Sequence, residues 1–283
     1  MAYRAGKFTY EVAEGWGQLP EGWAFKQAAG LVVDAQDRVI VFCRGEHPVI
    51  AFDREGRFLR AWGEGIFKMP HCACIGPDGN LYLVDAGDHT VRVFTTEGKL
   101  LRTMGTVNDP KEEQPFNKPT GIAFAPDGGF YVSDGYGNSR VHQFSADGKL
   151  IRSWGKPGDG PGEFHLPHGV RVDGQGRVYV ADRENHRIQV FTADGAFITQ
   201  WTGFLQPCDL YFSADGTVYV PELQHRMSFL SPDGSVIAQW GGEKSDAPGA
   251  FVAPHAACMD SRGDIYVGEV LEGQRVQTFV KKT

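Results

Sequence analysis

The sequence has few basic residues and no long apolar run, and each shortage excludes a class of protein. Its 283 residues include 28 Lys and Arg against 35 Asp and Glu, which gives a net charge of -7. Nucleic-acid binders usually carry a basic excess, so this balance argues against DNA or RNA as a partner. No stretch reaches the roughly 18 apolar residues that cross a bilayer, and residues 1–17 lack the apolar core of a secretory signal. We therefore expect no membrane partner either.

Cysteine is also scarce, and its five copies are an odd number, which does not suit a closed disulfide framework. They are Cys43, Cys72, Cys74, Cys208 and Cys258. Most lie inside apolar runs, so we expect reduced thiols and a cytoplasmic protein. The CAC run at 72–74 has the wrong spacing for a zinc knuckle and predicts two thiols on one face of a strand.

The sequence is rich in turn-forming residues, with 37 glycines and 16 prolines, and its 41% hydrophobic content excludes intrinsic disorder. One pattern recurs six times: an entry that usually begins with proline, an apolar run, a Gly-containing or polar turn, a second apolar run, and a string similar to RVxxF. The copies start at Ala28, Pro70, Pro119, Pro167, Pro207 and Pro254. A period of about 40 to 50 residues with four short strands predicts propeller blades. We therefore expect an all-β, six-bladed β-propeller that forms one domain over residues 1–283.

Within a copy, period-2 alternation predicts four strands, which in the third copy are GIAFA, FYVSD, RVHQF and LIRSWG. The fourth strand is missing from the sixth copy, which ends at TFVKKT. Residues 8–17, FTYEVAEGWG, have the form of this missing fourth strand, a short strand followed by Trp-Gly. We therefore expect the N-terminal strand to complete the C-terminal blade, which removes an open sheet edge.

Positions shared by all copies build the scaffold of a repeat protein, so chemistry is expected where one copy departs from the others. The residue after the entry proline is such a position. In blade order it is Ala29, His71, Thr120, His168, Cys208 and His255. Blades stand about 60° apart in a six-bladed propeller, so these histidines are expected about 120° apart. The pattern predicts a three-nitrogen metal site with an open fourth position, which zinc most often occupies, although imidazole also suits iron, copper and nickel.

A second position follows 15 residues later in every blade. In the same order it is Arg44, Ala86, Gly135, Arg183, Leu223 and Val270. The second strand returns antiparallel to the first, so we expect both arginines on the face of the histidines, with Tyr136 beside them. Two guanidiniums near a dication predict a carboxylate ligand. His89, His186 and His225 share a repeated position and are assigned to the scaffold.

The repeat resembles the NHL propellers, named for an Asn-His-Leu run whose counterpart here is NHR at 185–187. Longer strings resemble a narrower family, the peptidyl-α-hydroxyglycine α-amidating lyases. These strings are VIVFCRGEH at Arg44, MPH at His71, SDGYGNSR at Tyr136, and LPH and ADRENHRIQVF at His168 and Arg183. The resemblance implies a six-bladed propeller with central zinc that cleaves an N-acyl-α-hydroxyglycine into an amide and glyoxylate.

The resemblance also implies roles for individual residues. Zinc would be bound by His71, His168 and His255. Tyr136 would act as the general base, and Arg44 and Arg183 would bind the substrate carboxylate and tune the base. Because blade four is next to blade three, Arg183 is the expected neighbour of Tyr136, and Arg44 is the expected carboxylate ligand.

The sequence departs from that family at two places. APHA at 253–256 lacks the methionine and the aspartate of the family's MPHD-like string, so structural calcium is not expected. Gly137 follows Tyr136 where the family has a disulfide cysteine. The substrate class therefore stays open between a peptide and a small N-acyl-hydroxyglycine such as ureidoglycolate, and the oligomeric state is also open.

Two other functions remain as alternatives. A metal-dependent propeller hydrolase of a small ester or lactone would use the same histidines but would release no glyoxylate. A non-enzymatic NHL interaction propeller would need no metal, and it does not explain histidines in alternate blades.

Overall fold

The computed structural model describes residues 2–282, which form 25 strands and one short 3₁₀ turn. The protein is all-β, and its six sheets are the blades of a β-propeller, which confirms the predicted fold class. The described chain divides into two compact units: residues 2–66 with 210–282 are the first unit, and residues 67–209 are the second. Each unit holds three blades. None of the helical segments in the described part is long and apolar enough to cross a membrane.

The first unit begins with two strands of the sixth blade and continues with the whole first blade. The two strands are β1 (Ala2–Ala5) and β2 (Phe8–Ala13). Blade one consists of β3 (Ala28–Val33), β4 (Val39–Cys43), β5 (Val49–Phe52) and β6 (Phe58–Trp62).

The second unit contains blades two to four. Blade two consists of β7 (Pro70–Ile75), β8 (Leu81–Asp85), β9 (Thr90–Phe94) and β10 (Leu100–Met104). Blade three consists of β11 (Gly121–Phe124), β12 (Phe130–Asp134), β13 (Arg140–Phe144) and β14 (Leu150–Trp154). Blade four consists of β15 (Pro167–Val172), β16 (Val178–Asp182), the 3₁₀ turn Arg183–Asn185, β17 (Arg187–Phe191) and β18 (Phe197–Thr202).

The chain then returns to the first unit with blades five and six. Blade five consists of β19 (Tyr211–Phe212), β20 (Val218–Glu222), β21 (Arg226–Leu230) and β22 (Val236–Gly241). Blade six contributes β23 (Pro254–Met259), β24 (Ile265–Glu269) and β25 (Val276–Lys281). The first strand of blade five has only two residues and is shorter than the strand that the repeat predicts there.

Each blade is an antiparallel meander, and the predicted strands of blade three agree with β11–β14 to within one residue. The turns between strands follow the sequence signal. Gly128 has a φ of 86°, a left-handed conformation that costs glycine little, and the Asp127 carboxylate accepts the backbone N–H of Gly129 at 2.9 Å. Such turns fix the register and thereby decide which residues reach the ends of the strands.

Burial follows position within the blade. The second strand of every blade is buried along its whole length. The fourth strand is largely exposed in blades two to five, as at Leu150 and Ile151, and of intermediate burial in blades one and six. Aromatic side chains fill the space within each unit. Phe130 and Phe144, for example, stack at 4.8 Å between ring centroids in the second unit.

The second strand of blades two to six ends in a buried carboxylate, and in blades two, three, four and six this group holds the entry loop of its blade. The five residues are Asp85, Asp134, Asp182, Glu222 and Glu269. In blade four, Asp182 accepts the backbone N–H of His165 at 2.8 Å and also pairs with Arg187 at 2.7 Å. The carboxylate therefore fixes the loop that leads to His168, which couples the scaffold to the candidate site.

The N-terminal strand completes the sixth blade, as predicted. β2 pairs antiparallel with β25, with Tyr10 opposite Lys281 and Ala13 opposite Thr278. The sheet also gains a fifth strand, because β1 pairs with the outer edge of β2. The repeat pattern did not predict β1.

Candidate metal centre

His71 and His168 lie on equivalent strands of the second unit, and both are buried with 1% of their surface exposed. Their ring centroids are 4.6 Å apart. The Nδ1–H of His71 donates to the carbonyl of Thr120 at 2.6 Å, and that of His168 donates to the carbonyl of Cys208 at 2.8 Å. A carbonyl can only accept, so these bonds place the proton on Nδ1 and leave a lone pair on each Nε2.

His255 has the same arrangement within the first unit. It is 4% exposed at the start of β23, and its Nδ1–H donates to the carbonyl of Ala29 at 2.7 Å. In all three cases the carbonyl belongs to the entry position of the next blade, which carries no histidine. Each of the three imidazoles is therefore held in one tautomer by a backbone carbonyl of the neighbouring blade.

Tyr136 lies beside the two histidines of the second unit. Its phenolic oxygen is 3.3 Å from Nε2 of His71 and 3.4 Å from Nε2 of His168. The Nη1–H of Arg183 donates to the same oxygen at 3.4 Å, and the guanidinium carbon lies 5.7 Å from the centre of the phenol ring. The structure thus brings together four of the residues that the sequence predicted for the site, all within residues 67–209.

Glycines on both sides of Tyr136 allow its backbone to approach the neighbouring entry loops. A Cβ on Gly135 would lie 2.2 Å from the carbonyl oxygen of Pro167, and one on Gly137 would lie 2.3 Å from that of Asn117. No real Cβ approaches so closely. Blade three therefore has Gly135 at the position that Arg183 occupies in blade four. Its candidate side chain, Tyr136, comes one residue later in the chain.

Arg44 follows β4 in the first unit and is half-buried. Its backbone N–H donates to the backbone carbonyl of Gln27 at 2.9 Å, and its Nη1–H donates to Oε1 of the Gln27 side chain at 2.8 Å. Gln27 was not singled out from the sequence. It directly precedes the first-blade entry, and that adjacency is the only signal that could have pointed to it.

The scaffold assignment of the repeated histidines agrees with their geometry. His89, His186 and His225 all have a left-handed φ, between 54° and 66°. Nδ1 of His89 accepts the backbone N–H of Lys118 at 3.0 Å, and His186 makes the same kind of bond to Gln206 at 3.2 Å. They support turns between blades.

The cysteines do not contribute nucleophiles or soft ligands to the site. All five are free thiols. Burial raises the pKa of Cys43 and that of Cys74 to about 12, so both are protonated at neutral pH.

His71 and His168 in the second unit, and His255 in the first, are each buried and can each offer one ring nitrogen to a metal ion. The donor set fits a first-row metal ion, because three neutral imidazoles with fixed tautomers are a common ligand set. The identity of the metal is not determined by these residues.

Comparison with known proteins agrees with this architecture. The NHL repeat model matches residues 67–94, 116–144 and 164–191. The chain is 33% identical over 208 residues to peptidyl-glycine alpha-amidating monooxygenase B of Xenopus laevis, which covers 62% of this chain but 24% of that protein. It is 35% identical over 150 residues to a probable peptidyl-alpha-hydroxyglycine alpha-amidating lyase of Caenorhabditis elegans, covering 51% of this chain and 43% of that one. The chain therefore spans a quarter to under half of these relatives.

A third relative and a solved structure define the class. Human NHL repeat-containing protein 3 is 30% identical over 234 residues, which cover 76% of this chain and 67% of that protein. The fold matches that of a virginiamycin B lyase from Staphylococcus aureus with a TM-score of 0.65 at 15% identity, over 96% of this chain and 88% of that one. The fold and the NHL repeats together place the protein in the class of six-bladed repeat propellers. The chain belongs to the NHL repeat-containing protein family and is homologous to the peptidyl-α-hydroxyglycine α-amidating lyases.

Proposed function

We propose that this chain is a metal-dependent lyase that cleaves an N-acyl-α-hydroxyglycine into an amide and glyoxylate. The observation that carries the proposal is the position of the Tyr136 oxygen, which contacts Nε2 of His71, Nε2 of His168 and the guanidinium of Arg183. The name of the nematode homologue supports this reaction class. A propeller that only binds a partner has no need for such a convergence of polar groups.

The proposed metal ligands are Nε2 of His71, His168 and His255, and zinc is the proposed metal because three nitrogen ligands with an open fourth position are typical of catalytic zinc. The ion would supply Lewis-acid stabilisation of negative charge on a substrate oxygen. The Nδ1 hydrogen bonds support this assignment, since they orient the rings and fix their tautomers before any ion binds.

The remaining steps belong to the side chains. Tyr136 takes the proton of the substrate hydroxyl as the general base. As the C–O bond becomes the carbonyl of glyoxylate, the C–N bond breaks and the nitrogen leaves with the bonding pair. That nitrogen then gains a proton and becomes the amide, so the reaction consumes no water.

The two arginines take different parts in this proposal. Arg183 stabilises negative charge on the Tyr136 oxygen, which it already contacts. Burial lowers the pKa of Arg183, but nearby groups, including Cys208, Tyr136 and Glu184, outweigh this effect and raise it, so the guanidinium stays charged. Arg44 pairs with the substrate carboxylate in a bidentate manner.

The proposal is tested by metal analysis of the purified protein and a glyoxylate assay on a panel of N-acyl-α-hydroxyglycines, from a short peptide to ureidoglycolate. We expect one metal ion per chain and glyoxylate release that stops after chelation and returns with zinc. Absence of glyoxylate from every panel member with the metal bound contradicts the lyase proposal. Turnover of an ester or lactone in that case supports the hydrolase alternative.

We also propose that the protein works in a reducing compartment such as the cytoplasm. The five free thiols support this, because no pair of them is bonded in the described chain. Counting alkylated thiols by mass spectrometry in protein taken directly from cells tests it, and fewer than five free thiols contradicts it.

A further inference from the structure

Glu184 lies in the 3₁₀ turn immediately after Arg183, and both of its carboxylate oxygens have a side-chain donor. Oε1 accepts Nε–H of Arg183 at 2.8 Å. Oε2 accepts Nε2–H of Gln206 at 2.7 Å. Burial raises the pKa of Glu184, but the charge and hydrogen bond of Arg183 and the hydrogen bond of Gln206 outweigh it and lower the value, so the group is a carboxylate at neutral pH.

This contact determines where the rest of the guanidinium lies. The group is planar and rigid, so fixing Nε fixes the direction of both terminal nitrogens. With Nε held by Glu184, Nη1 lies 3.4 Å from the Tyr136 oxygen. The Arg183 side chain is 13% exposed and that of Glu184 is 24% exposed, so solvent screens this pair only in part.

The backbone of the turn is anchored as well. The N–H of Arg183 donates to the carbonyl of Leu166 at 3.1 Å, and that of Glu184 donates to the carbonyl of His165 at 3.0 Å. These acceptors precede His168 in the entry loop. The second partner of the carboxylate is also held, because the backbone N–H of Gln206 donates to His186 at 3.2 Å.

We propose that Glu184, supported by Gln206, is a positioning residue that holds the Arg183 guanidinium against the Tyr136 oxygen. This inference rests on the proposed function, since it assigns Glu184 a part in the same reaction. Glu184 touches no group that we assign to the substrate, and it acts only through Arg183. Glu184 departs from the repeat, since no other blade has a carboxylate next to an arginine at this position, but the sequence does not show that its side chain turns towards the guanidinium.

A double-mutant cycle separates positioning from general support of the fold. Glu184→Ala should lower kcat about 10- to 100-fold and leave KM within about threefold, as supporting residues around active sites typically do. In the Arg183→Ala background the same change should lower kcat by less than about twofold, because the residue to be positioned is gone. Glu184→Gln keeps an acceptor and should recover part of the rate.

Glu113 offers the matched control, because it pairs with Arg140 in the same unit at 3.2 Å and is 80% exposed. Glu113→Ala should leave kcat unchanged. The proposal is overturned if Glu184→Ala lowers kcat as much in the Arg183→Ala background as in the wild type, or if Glu113→Ala causes the same loss.

A second measurement does not depend on turnover. In ¹⁵N NMR, the Nε–H of Arg183, assigned by its absence from Arg183→Ala, should exchange slowly with water in the wild type. Exchange should be faster in Glu184→Ala but not in Glu113→Ala. Fast exchange in the wild type overturns the positioning role even if the enzyme is active. Slow exchange in a protein that forms no glyoxylate refutes the proposed function and the catalytic part of this role, while the pairing itself stands.

Discussion

At the scale of single residues, the candidate ligands are oriented before any ion binds. Each of the three histidines donates from Nδ1 to a backbone carbonyl, and a carbonyl on a strand entry has little freedom to move. Ordering a side chain costs conformational entropy, and in this protein folding orders the three rings before a metal ion binds. A metal ion therefore meets nitrogen ligands whose rings need little reorientation.

This arrangement predicts that metal binding depends on each histidine while the fold does not. His168→Ala should release most of the metal, because two nitrogen ligands bind far more weakly than three. The blades should persist, since strands and aromatic packing form the core. Metal analysis together with circular dichroism checks both expectations. Full metal occupancy in the variant would remove His168 from the ligand set.

Tyr136→Phe removes one oxygen atom and keeps the ring that packs beside His71 and His168. General-base contributions are about 10² to 10⁴-fold, so we expect kcat to fall by at least about 100-fold with metal content unchanged. Steady-state assays at the optimal pH of each protein measure this. A loss below tenfold would instead give Tyr136 a packing role.

The two arginines should respond differently to substitution. Arg44→Lys loses bidentate pairing with a carboxylate and should mainly raise KM. Arg183→Ala removes the positive charge beside the Tyr136 oxygen. It should mainly lower kcat and move to higher pH the limb on which kcat rises with pH, because a general base acts in its deprotonated form. Profiles of both variants decide the division of roles. A shifted profile for Arg44→Lys with an unshifted one for Arg183→Ala would reverse it.

Sequence reasoning singled out six candidate residues because they depart from a repeat. It missed their hydrogen-bond partners because those are backbone groups or lie in loops. Thr120, Cys208 and Ala29 contribute only backbone carbonyls, which any residue supplies. Glu184 follows Arg183 directly in the chain, and its contact with the guanidinium depends on the conformation of the turn. The offset of Tyr136 by one residue from the arginine position was visible in the sequence. Its cause was not, since it arises from close packing of Gly135 against Pro167.

At the scale of strands and loops, the buried carboxylates at the ends of the second strands connect stability to function. Asp182 is fully buried and bonds Arg187, Asn185 and the loop that carries His168. Loss of its charge leaves Arg187 unpaired in a site that is 7% exposed. Strand boundaries were predictable from alternation and turns, whereas this coupling was not, because it joins the end of β16 to a loop 17 residues earlier in the chain.

We therefore predict that Asp182→Asn lowers the free energy of unfolding by about 3 to 5 kcal/mol, the range for breaking a buried ion pair. Urea denaturation followed by fluorescence measures it. Asp109→Asn is the matched control, because Asp109 and Lys111 form an exposed pair for which we expect about 1 kcal/mol or less. Equal effects of the two substitutions would contradict the special role of the buried carboxylate.

At the scale of the whole chain, the sixth sheet joins residues from both ends of the sequence. The missing fourth strand of the last repeat made this closure predictable. β1 escaped prediction because AYRA has no counterpart in any repeat. It covers the edge of β2, and Tyr3 packs against Trp240 at 5.3 Å between ring centroids.

Deletion of residues 1–13 should expose the edge of β25 and remove the fully buried Tyr10. Loss of that side chain alone costs roughly 1.5 to 3 kcal/mol, and an open edge favours association between chains. Light scattering and thermal denaturation should show aggregation and a lower midpoint. A peptide of residues 2–17 should restore the midpoint by strand addition. Deletion of residues 1–6, which spares β2, should have a smaller effect, and an equal effect would contradict the importance of β2.

The pairing of β2 with β25 also bears on how the protein is made. Tyr10 lies opposite Lys281, so the sixth sheet cannot close until the ribosome has synthesised the chain as far as that residue. At about 5 to 20 residues per second, β2 waits on the order of 15 to 55 seconds for its partner. During translation the nascent chain presents an unpaired strand with an aromatic and β-branched sequence, to which a chaperone that recognises extended apolar segments has access.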